Sequence, residues 1–536
     1  MIAQPSNADG RDLRVGAHLP RRCNAAHDLL ERNLAAGRAN KIAFIDDVRA
    51  ITYQELARAV SRCANALLDL GLEQEQRVLI CMHDSVDWPV VFLGAIKAGI
   101  VPVAANTLLT PADYEYMLRD SRARALVISA ALLPTFESIM KRVPSIRHVV
   151  VAGSDVGTYR SLARLLAASS DQCDTADTTA DEPCFWLYSS GSTGAPKGTV
   201  HAHSSLAQTA ELYAKPVLGI REDDVVFSAA KLFFAYGLGN ALTFPMSVGA
   251  TTVLMAERPT PAAVFARLRK HQPTIFYGVP TLFAALLASP ELPQRGELKL
   301  RVCTSAGEAL PADIGRRWTE RFGIDILDGI GSTEMLHIFI SNRPGDVRYG
   351  TTGKPVPGYE VRLVDEQGNP TSYGTVGELQ VAGPSAAIGY WNNREKSRDT
   401  FNGGWTRCGD KYSIDPDGYY VYAGRSDDML KVSGIYVSPV EVESALITHP
   451  AVLEAAVIGK ADEEELVKPI AFVVLKAGQH PCDELAGELQ RHVKAHLAPF
   501  KYPRWIEFID ELPKTATGKI QRFKLRERID GPARSS

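Results

Sequence analysis

Ser189, Ser190, Gly191, Ser192, Thr193 and Gly194 place four hydroxyls and two glycines in six consecutive positions, and Lys197 follows close behind. The glycines permit backbone conformations that gather N–H groups and let a bulky anion approach the main chain. The hydroxyls add donors and the lysine adds a mobile cation, so Tyr188-Ser-Ser-Gly-Ser-Thr-Gly-Ala-Pro-Lys-Gly198 reads as a phosphate cradle. Met alone, such a composition is also that of a solvated Ser/Gly turn. It is not the P-loop of nucleotide hydrolases: counted from Gly191, Pro196 stands where the second glycine belongs and Gly198 where the Mg-binding Ser/Thr belongs.

Three other stretches carry chemistry. Asp328-Gly-Ile-Gly-Ser-Thr-Glu334 is a second glycine and hydroxyl segment, ending in a carboxylate. One carboxylate beside bound phosphate is what Mg²⁺ needs, because the ion fills its other octahedral positions with phosphate oxygens and water. In Thr406-Arg-Cys-Gly-Asp410 an acid follows a tight turn and could accept both hydroxyls of a ribose, or simply stabilise the turn. Pro513-Lys-Thr-Ala-Thr-Gly-Lys519 presents a lysine from a glycine loop, or is a solvated basic end.

The elements that must position these residues alternate. Ala43–Ile45 and Arg49–Thr52 predict a hairpin, and Thr52 with Glu55 forms a capping box for a helix ending at Gly71. Strands follow at Arg77–Met82, Val101–Ala104 and Ala125–Ser129, separated by helices at about Trp88–Ala98 and from Pro111. Such alternation predicts parallel sheets covered by helices. The acidic stretch Asp171–Asp181 reads as a linker to the cradle, whose flanks Cys184–Tyr188 and Thr199–His201 are short strands around a projecting loop. After it come a helix from Ser204 to about Leu212, strands at Val225–Ser228, Thr251–Met255, Thr274–Gly278 and Arg301–Ser305, and a helix at Pro261–His271. From about residue 350 short strands and turns imply a β-rich subdomain, and Gly424-Arg-Ser-Asp-Asp428 is a charged junction before a small α+β tail. The fold class is therefore α/β: a large body of parallel-type sheets and helices with a β-rich subdomain, then a small α+β domain.

At 536 residues the chain exceeds one ordinary core, and 45% hydrophobic with 23% charged residues is an ordinary globular composition. A net charge of -3 gives no global field for nucleic acid or an anionic membrane, so an anionic ligand has to be held locally. Scattered cysteines without a CxxC pair, and a beginning without a basic-then-apolar leader, read as a cytoplasmic protein.

Taken in order, the motifs resemble the adenylate-forming (ANL) superfamily of acyl-CoA synthetases, peptide-synthetase adenylation domains and luciferases, over roughly residues 25–530. The resemblance implies two steps: a carboxylate attacks the α-phosphate of MgATP and expels pyrophosphate, then a thiol attacks the acyl-adenylate and expels AMP. It implies that Lys519 bridges the attacking carboxylate and the α-phosphate, that Thr333 meets the α-phosphate, and that Glu334 holds Mg²⁺. Ser189 to Gly194 with Lys197 would hold the leaving phosphates, and Asp410 with Arg425 the ribose. Adenine would lie against Ala306, Gly307 and Glu308, with Asp328 near its exocyclic amine and Gly329, Ile330, Gly331 and Ser332 beside the nucleotide. It further implies an adenylation body over residues 1–426, its β-rich subdomain at about 350–426, and a mobile domain over 427–536 that pivots at Asp427. Lys431, Ser433 and Gly434 would line the pantetheine tunnel for coenzyme A.

A finer resemblance is to the benzoate-CoA ligase and 4-hydroxybenzoate-CoA ligase group. It rests on Met82-His-Asp-Ser-Val-Asp-Trp-Pro89, Lys231-Leu-Phe-Phe-Ala-Tyr-Gly237, Asp328–Ile338 and Lys431-Val-Ser-Gly-Ile-Tyr-Val437. Phe234, Ala235, Tyr236 and Gly237 would form a flat wall for a small aromatic acid, and His337 and Ile338 a closing edge. His337 is open to two readings, a hydrogen bond to a ring hydroxyl or support of its own loop. The expected ligands are ATP, Mg²⁺, coenzyme A and a small aromatic carboxylic acid, with no nucleic acid and no membrane. There is room for a homodimer, and for a lysine acetyltransferase acting at Lys519. Three rivals are an aryl-acid adenylating enzyme that loads a carrier protein, a non-catalytic nucleotide-binding regulator, and a luciferase-like oxygenase.

Overall fold

The computed structural model describes residues 16–154, 156–191, 194–426, 428–432, 435–462, 466–498, 501–514 and 520–530. Among them, two large sheets form the body. One has the strand order Lys354–Pro355, Ile338–Ser341, Ile326–Gly331, Val302–Ser305, Ile275–Gly278, Val225–Ser228, Thr251–Val253, Ile42–Ile45, Ala50–Thr52. Its central neighbours are parallel. The other runs Gly389–Tyr390, Gly194–Ala202, Pro183–Gly191, Val101–Ala104, Arg77–Cys81, Ala125–Ser129, His148–Ala152, Arg160–Ser161.

The local reasons are those the sequence offers. Strands such as Val101–Ala104 and Ile275–Gly278 are buried at every position, so they read as continuous apolar runs with helices on both faces. The helix Tyr53–Asp69 starts on the expected capping box: Thr52 Oγ1 accepts from Glu55 N–H, and the Glu55 carboxylate accepts from Thr52 N–H at 2.8 Å. It stops where Gly71 takes φ +80, a left-handed conformation that costs glycine little. The helix Pro111–Ser121 begins on a second box, Thr110 with Asp113.

Two segments differ from the sequence reading. The acidic stretch is not a free linker, for Ala176 N–H donates to Lys97 C=O, Cys23 N–H donates to Thr178 C=O and the Asn65 amide donates to Ser170 and Gln172 C=O. These bonds strap it across the body. The helix expected to end near Leu212 runs as His203–Thr209 and continues in wide π-type turns over Ala210–Leu218, which accommodate Pro216 and its missing N–H.

The β-rich region holds Glu360–Val364, Gly377–Ala382, Trp405–Ile414, Phe401–Asn402 and Tyr420–Arg425 in one antiparallel sheet. Beyond it, Val452–Ala461, Val467–Leu475 and Trp505–Phe508 form a separate three-stranded sheet. That sheet has a core on each face, one around Val442, Leu446, Val457 and Leu489 and one around Ile458, Phe472, Leu512 and Leu525. The expected α+β tail is thus a layered unit with its own apolar interior. No helix among the described residues is long and apolar enough to cross a membrane.

Candidate active site

In-register pairing sets the ends of four parallel strands side by side: Ser228 opposite Tyr277, Gly278 opposite Ser305, and Ser305 opposite Asp328. The chain segments after those ends are 229–237, 306–310 and 328–338, three of the stretches singled out in the sequence. A crevice at the carboxyl ends of parallel strands is where α/β proteins bind ligands.

The phosphate stretch reaches the same place from the second sheet, and it is less of a loop than its composition implies. Pro183–Gly191 and Gly194–Ala202 pair through it, with Tyr188 opposite Gly198, Ser189 opposite Lys197 and Gly191 opposite Gly194. Pairing to a neighbouring strand overrides the poor strand preference of glycine and serine. At the base of this hairpin Tyr188 O–H donates to Asp120 at 2.7 Å. Burial pulls the pKa of Lys197 below its usual value, while the Glu334 carboxylate pulls it back up. The Tyr390 ring stands between them: the Lys197 ammonium lies 4.7 Å from its centroid and its hydroxyl donates to Glu334.

Glu334 and Thr333 are fixed from several directions. His201, on the returning strand of the hairpin, donates from Nε2 to Thr333 C=O at 2.8 Å, because a carbonyl can only accept. Its ring stacks on Phe185 at 5.2 Å, and burial holds its pKa down at about 4. Ala387 N–H donates to Glu334 C=O at 2.8 Å, and Tyr390 O–H donates to Glu334 Oε1 at 2.7 Å. The carboxylate keeps acceptor capacity beyond that one bond, and it sits beside the phosphate hairpin with no other acid needed. Those donors fit Mg²⁺ carried on a polyphosphate.

For the nucleoside, Asp410 and Arg425 lie directly opposite each other on neighbouring strands, with Arg425 Nη1 to Asp410 Oδ1 at 3.1 Å. Asp328 is buried, burial raises its pKa well above the ordinary carboxylate value, and its Oδ1 has no partner among the described residues. An orphaned buried acceptor suits an amino donor such as an exocyclic amine. Ala306 is buried, and Gly307 turns at φ +95.

The aromatic segment lies alongside. Phe234, Ala235 and Tyr236 are partly exposed, whereas Phe233 packs into the core. Tyr236 O–H shares a 2.6 Å hydrogen bond with Thr304 Oγ1. Gly237 is buried, and a Cβ there would run into the Lys231 carbonyl, so this glycine lets the segment fold back on itself. His337 is buried among Tyr213, Tyr236 and Phe244, with burial lowering its pKa to about 3. Its Nε2–H is directed at Tyr236 C=O and Asn240 Oδ1, on the aromatic segment and the helical turn that follows it, and its Nδ1 has no partner among the described residues. Ile338 packs on the bare face of Gly329.

Thus the strand ends bring Ala306, Gly307, Glu308, Asp328 to Ser332 and the aromatic segment side by side, His201 and Tyr390 link the hairpin of Lys197 to Thr333 and Glu334, and Asp410 with Arg425 form a pair. Ser192, Thr193, Asp427, Ser433, Gly434 and Lys519 lie outside the described residues, and of Ser190, Gly191, Gly194 and Lys431 only the main chain is described. Sequence reasoning missed Tyr390 and His201, and gave no role to Asp84. Both Asp84 carboxylate oxygens accept from Leu232 N–H, and burial lifts its pKa to about 6 against the pull of Lys231. It fixes the start of the aromatic segment. Asp84 lies within Met82–Pro89, one of the motifs that carry the finer resemblance, whereas Tyr390 lies in none of them.

Known proteins share this fold and much of this sequence. Residues 30–391 match the AMP-binding enzyme family, and residues 441–519 match the AMP-binding enzyme C-terminal domain. The chain is 66% identical over 523 residues to a benzoate–CoA ligase of Thauera aromatica, covering 97% of this chain and 99% of that one. It is 52% identical over 510 residues to a 4-hydroxybenzoate–CoA/benzoate–CoA ligase of Rhodopseudomonas palustris, covering 94% of each. A crystal structure of a benzoate CoA ligase from Burkholderia xenovorans LB400 superposes with a TM-score of 0.89 at 59% identity, over 94% of this chain and all of that one.

Proposed function

Because the chain belongs to the AMP-binding enzyme family, we propose that it joins benzoate or a simple substituted benzoate to coenzyme A through an aryl-adenylate, releasing AMP and pyrophosphate. The observation that carries this reading is the full-length likeness to benzoate–CoA ligases; the Tyr390 ring, beside Lys197 and bonded to Glu334, supports it.

The nucleophile of the first step is already ionised, so the protein's task is placement and charge stabilisation more than proton removal. The benzoate oxygen attacks the α-phosphorus, and the α–β bridging oxygen leaves with pyrophosphate. Lys197 and the hairpin main chain hold the leaving phosphates, Thr333 meets the α-phosphate, and Lys519 spans the attacking carboxylate and the α-phosphate. Asp410 and Arg425 hold the ribose. Glu334 would hold Mg²⁺, whose chemistry when bound is to neutralise the departing charge. Phe234, Ala235 and Tyr236 bound the ring, with Gly329 and Ile338 on the far side. In the second step the coenzyme A sulfur attacks the acyl carbon and AMP leaves.

Lys519 and the thiol need the same carbonyl, so the domain over 427–536 turns about Asp427 between the steps, and Lys431, Ser433 and Gly434 then line the pantetheine path. Hinges of a few residues absorb such changes. A cytoplasmic setting, a homodimer and regulation by a lysine acetyltransferase at Lys519 belong to the same reading, since acetylation removes the charge that adenylation needs. Acetylated protein with full adenylation activity would refute the last.

The deciding experiment is CoA-dependent AMP release with a panel of benzoates, cyclohexanecarboxylate and short fatty acids. Benzoate or a close derivative is expected to give the highest kcat/KM. Preference for an aliphatic acid, or transfer only to a carrier protein, overturns the reading.

A further inference from the structure

The segment 387–391 lies between the phosphate hairpin and Glu334 and bonds to both. Ala387 N–H donates to Glu334 C=O, Ile388 N–H to Val200 C=O and Trp391 N–H to Gly198 C=O, each at 2.8 Å. Gly389 and Tyr390 add a short strand to the hairpin, opposite Val200 and Thr199. Trp391 anchors the far end: its indole N–H donates to Asp120 C=O at 2.9 Å and its ring packs on Trp186 at 4.6 Å. Tyr390 itself is 7% exposed, its N–H donates to Ser397 Oγ at 2.9 Å, and Phe401 packs beside its ring.

A ring so fixed has two functional faces here. Its hydroxyl donates to Glu334 Oε1 at 2.7 Å, and the ammonium of Lys197 lies 4.7 Å from its ring centroid. The first contact is a charge-assisted hydrogen bond and the second a cation–π contact, so one rigid side chain touches the expected phosphate cation and the expected metal carboxylate. We propose that Tyr390 is a positioning residue that couples Lys197 to Glu334: the hydroxyl aims the carboxylate toward the metal on the triphosphate, and the ring face holds the ammonium toward the leaving phosphates. This rests on the reading of Glu334 as the Mg²⁺ carboxylate.

The two contacts separate by substitution. Tyr390→Phe keeps the ring face and removes the hydroxyl, whereas Tyr390→Leu removes both. The measurement is equilibrium binding of ATP by calorimetry, once in EDTA and once in saturating Mg²⁺, with Glu334→Gln and Lys197→Ala as references. Tyr390→Phe is expected to bind metal-free ATP like the unaltered protein and to lose about tenfold of the affinity that Mg²⁺ adds. Tyr390→Leu is expected to lose, in addition, metal-free ATP affinity as Lys197→Ala does. If Glu334→Gln abolishes the Mg²⁺ gain and Tyr390→Phe leaves it whole, the coupling role is overturned. If Glu334→Gln leaves the gain whole, the reading of Glu334 is overturned instead. Because Tyr390→Phe retains the packed ring, it keeps the test decisive even where Tyr390→Leu fails to fold.

Discussion

Replacing His201 by phenylalanine isolates one bond of the site. The new ring keeps the stack on Phe185 and removes only the Nε2–H that meets Thr333 C=O. A buried carbonyl left without its donor costs about 1–3 kcal/mol if the Thr333–Glu334 peptide stays in place. If the peptide turns to find another donor, stability is spared and the Thr333 hydroxyl and Glu334 carboxylate are displaced, and each 1.4 kcal/mol of lost transition-state binding is about tenfold in kcat/KM for ATP. Stability and activity are thus alternative outlets for the same bond.

The pH dependence carries the sharper signature. The native imidazole titrates near 4 and an unfolded one near 6.5, so between those values only the unfolded chain takes up the proton. The stability His201 contributes is complete above about pH 6.5 and is lost as pH falls toward 4. At pH 5 that loss is about 2 kcal/mol, from ~1.5 units at 1.36 kcal/mol each. The variant has no such proton to refuse, so its stability relative to the unaltered protein rises by about that amount between pH 7 and pH 5. Urea unfolding followed by tryptophan fluorescence at both pH values measures this. A stability difference unchanged between pH 7 and pH 5 would refute the account of His201 as a neutral, buried donor.

Three further outcomes follow from the other contacts. Lys519→Ala is expected to abolish adenylation and to spare thioester formation from supplied benzoyl-adenylate; equal loss of both in rapid-quench assays sinks the division between the two steps. Asp410→Asn replaces a charged acceptor of the ribose hydroxyls, which at about 1.5–3 kcal/mol raises the KM for ATP roughly ten- to hundredfold, while the KM for benzoate holds; a change shared by both substrates argues against the ribose assignment. Gly237→Ala drives a methyl into the Lys231 carbonyl and should cost about 1–3 kcal/mol or more as overpacking, with a weakened KM for benzoate. Unchanged melting and unchanged benzoate KM would show that the segment tolerates the methyl.

What the sequence disclosed was whatever depends on neighbours along the chain. Thr52 with Glu55 announces a helix start because the capping bonds close within one turn, and Val101–Ala104 announces a buried strand because both faces are apolar. Pairing between distant segments left no such trace. Ile42–Ile45 lies beside Thr251–Val253 in the sheet, and no local pattern near either names the other. The same gap explains the phosphate stretch, where Gly and Ser argued for a loop and the ladder from Tyr188 to Gly198 made most of it a hairpin. Motif residues with distinctive chemistry, Lys197, Glu334 and Asp410, were legible. Tyr390 was not, because a two-residue strand has no periodicity and its importance arises only when it pairs with Thr199 and Val200.

These long-range pairings tie Glu334 and the hairpin that carries Lys197 into one framework. Glu334 is tied by its carbonyl to Ala387 and by its carboxylate to Tyr390, and its neighbour Thr333 is tied to His201. All three ties lead back to the hairpin that carries Lys197, since His201 lies on it and residues 388–391 bond to it. The pair Asp410 and Arg425 stands on a different sheet, joined by its own ladder. On the proposed reading, the leaving phosphates meet Lys197 and a Glu334 carboxylate that are already linked through Tyr390, so less of the charge stabilisation has to be assembled as the reaction proceeds. On the proposed reading the ribose pair is held by that separate ladder, and a bound nucleotide would draw on both frameworks.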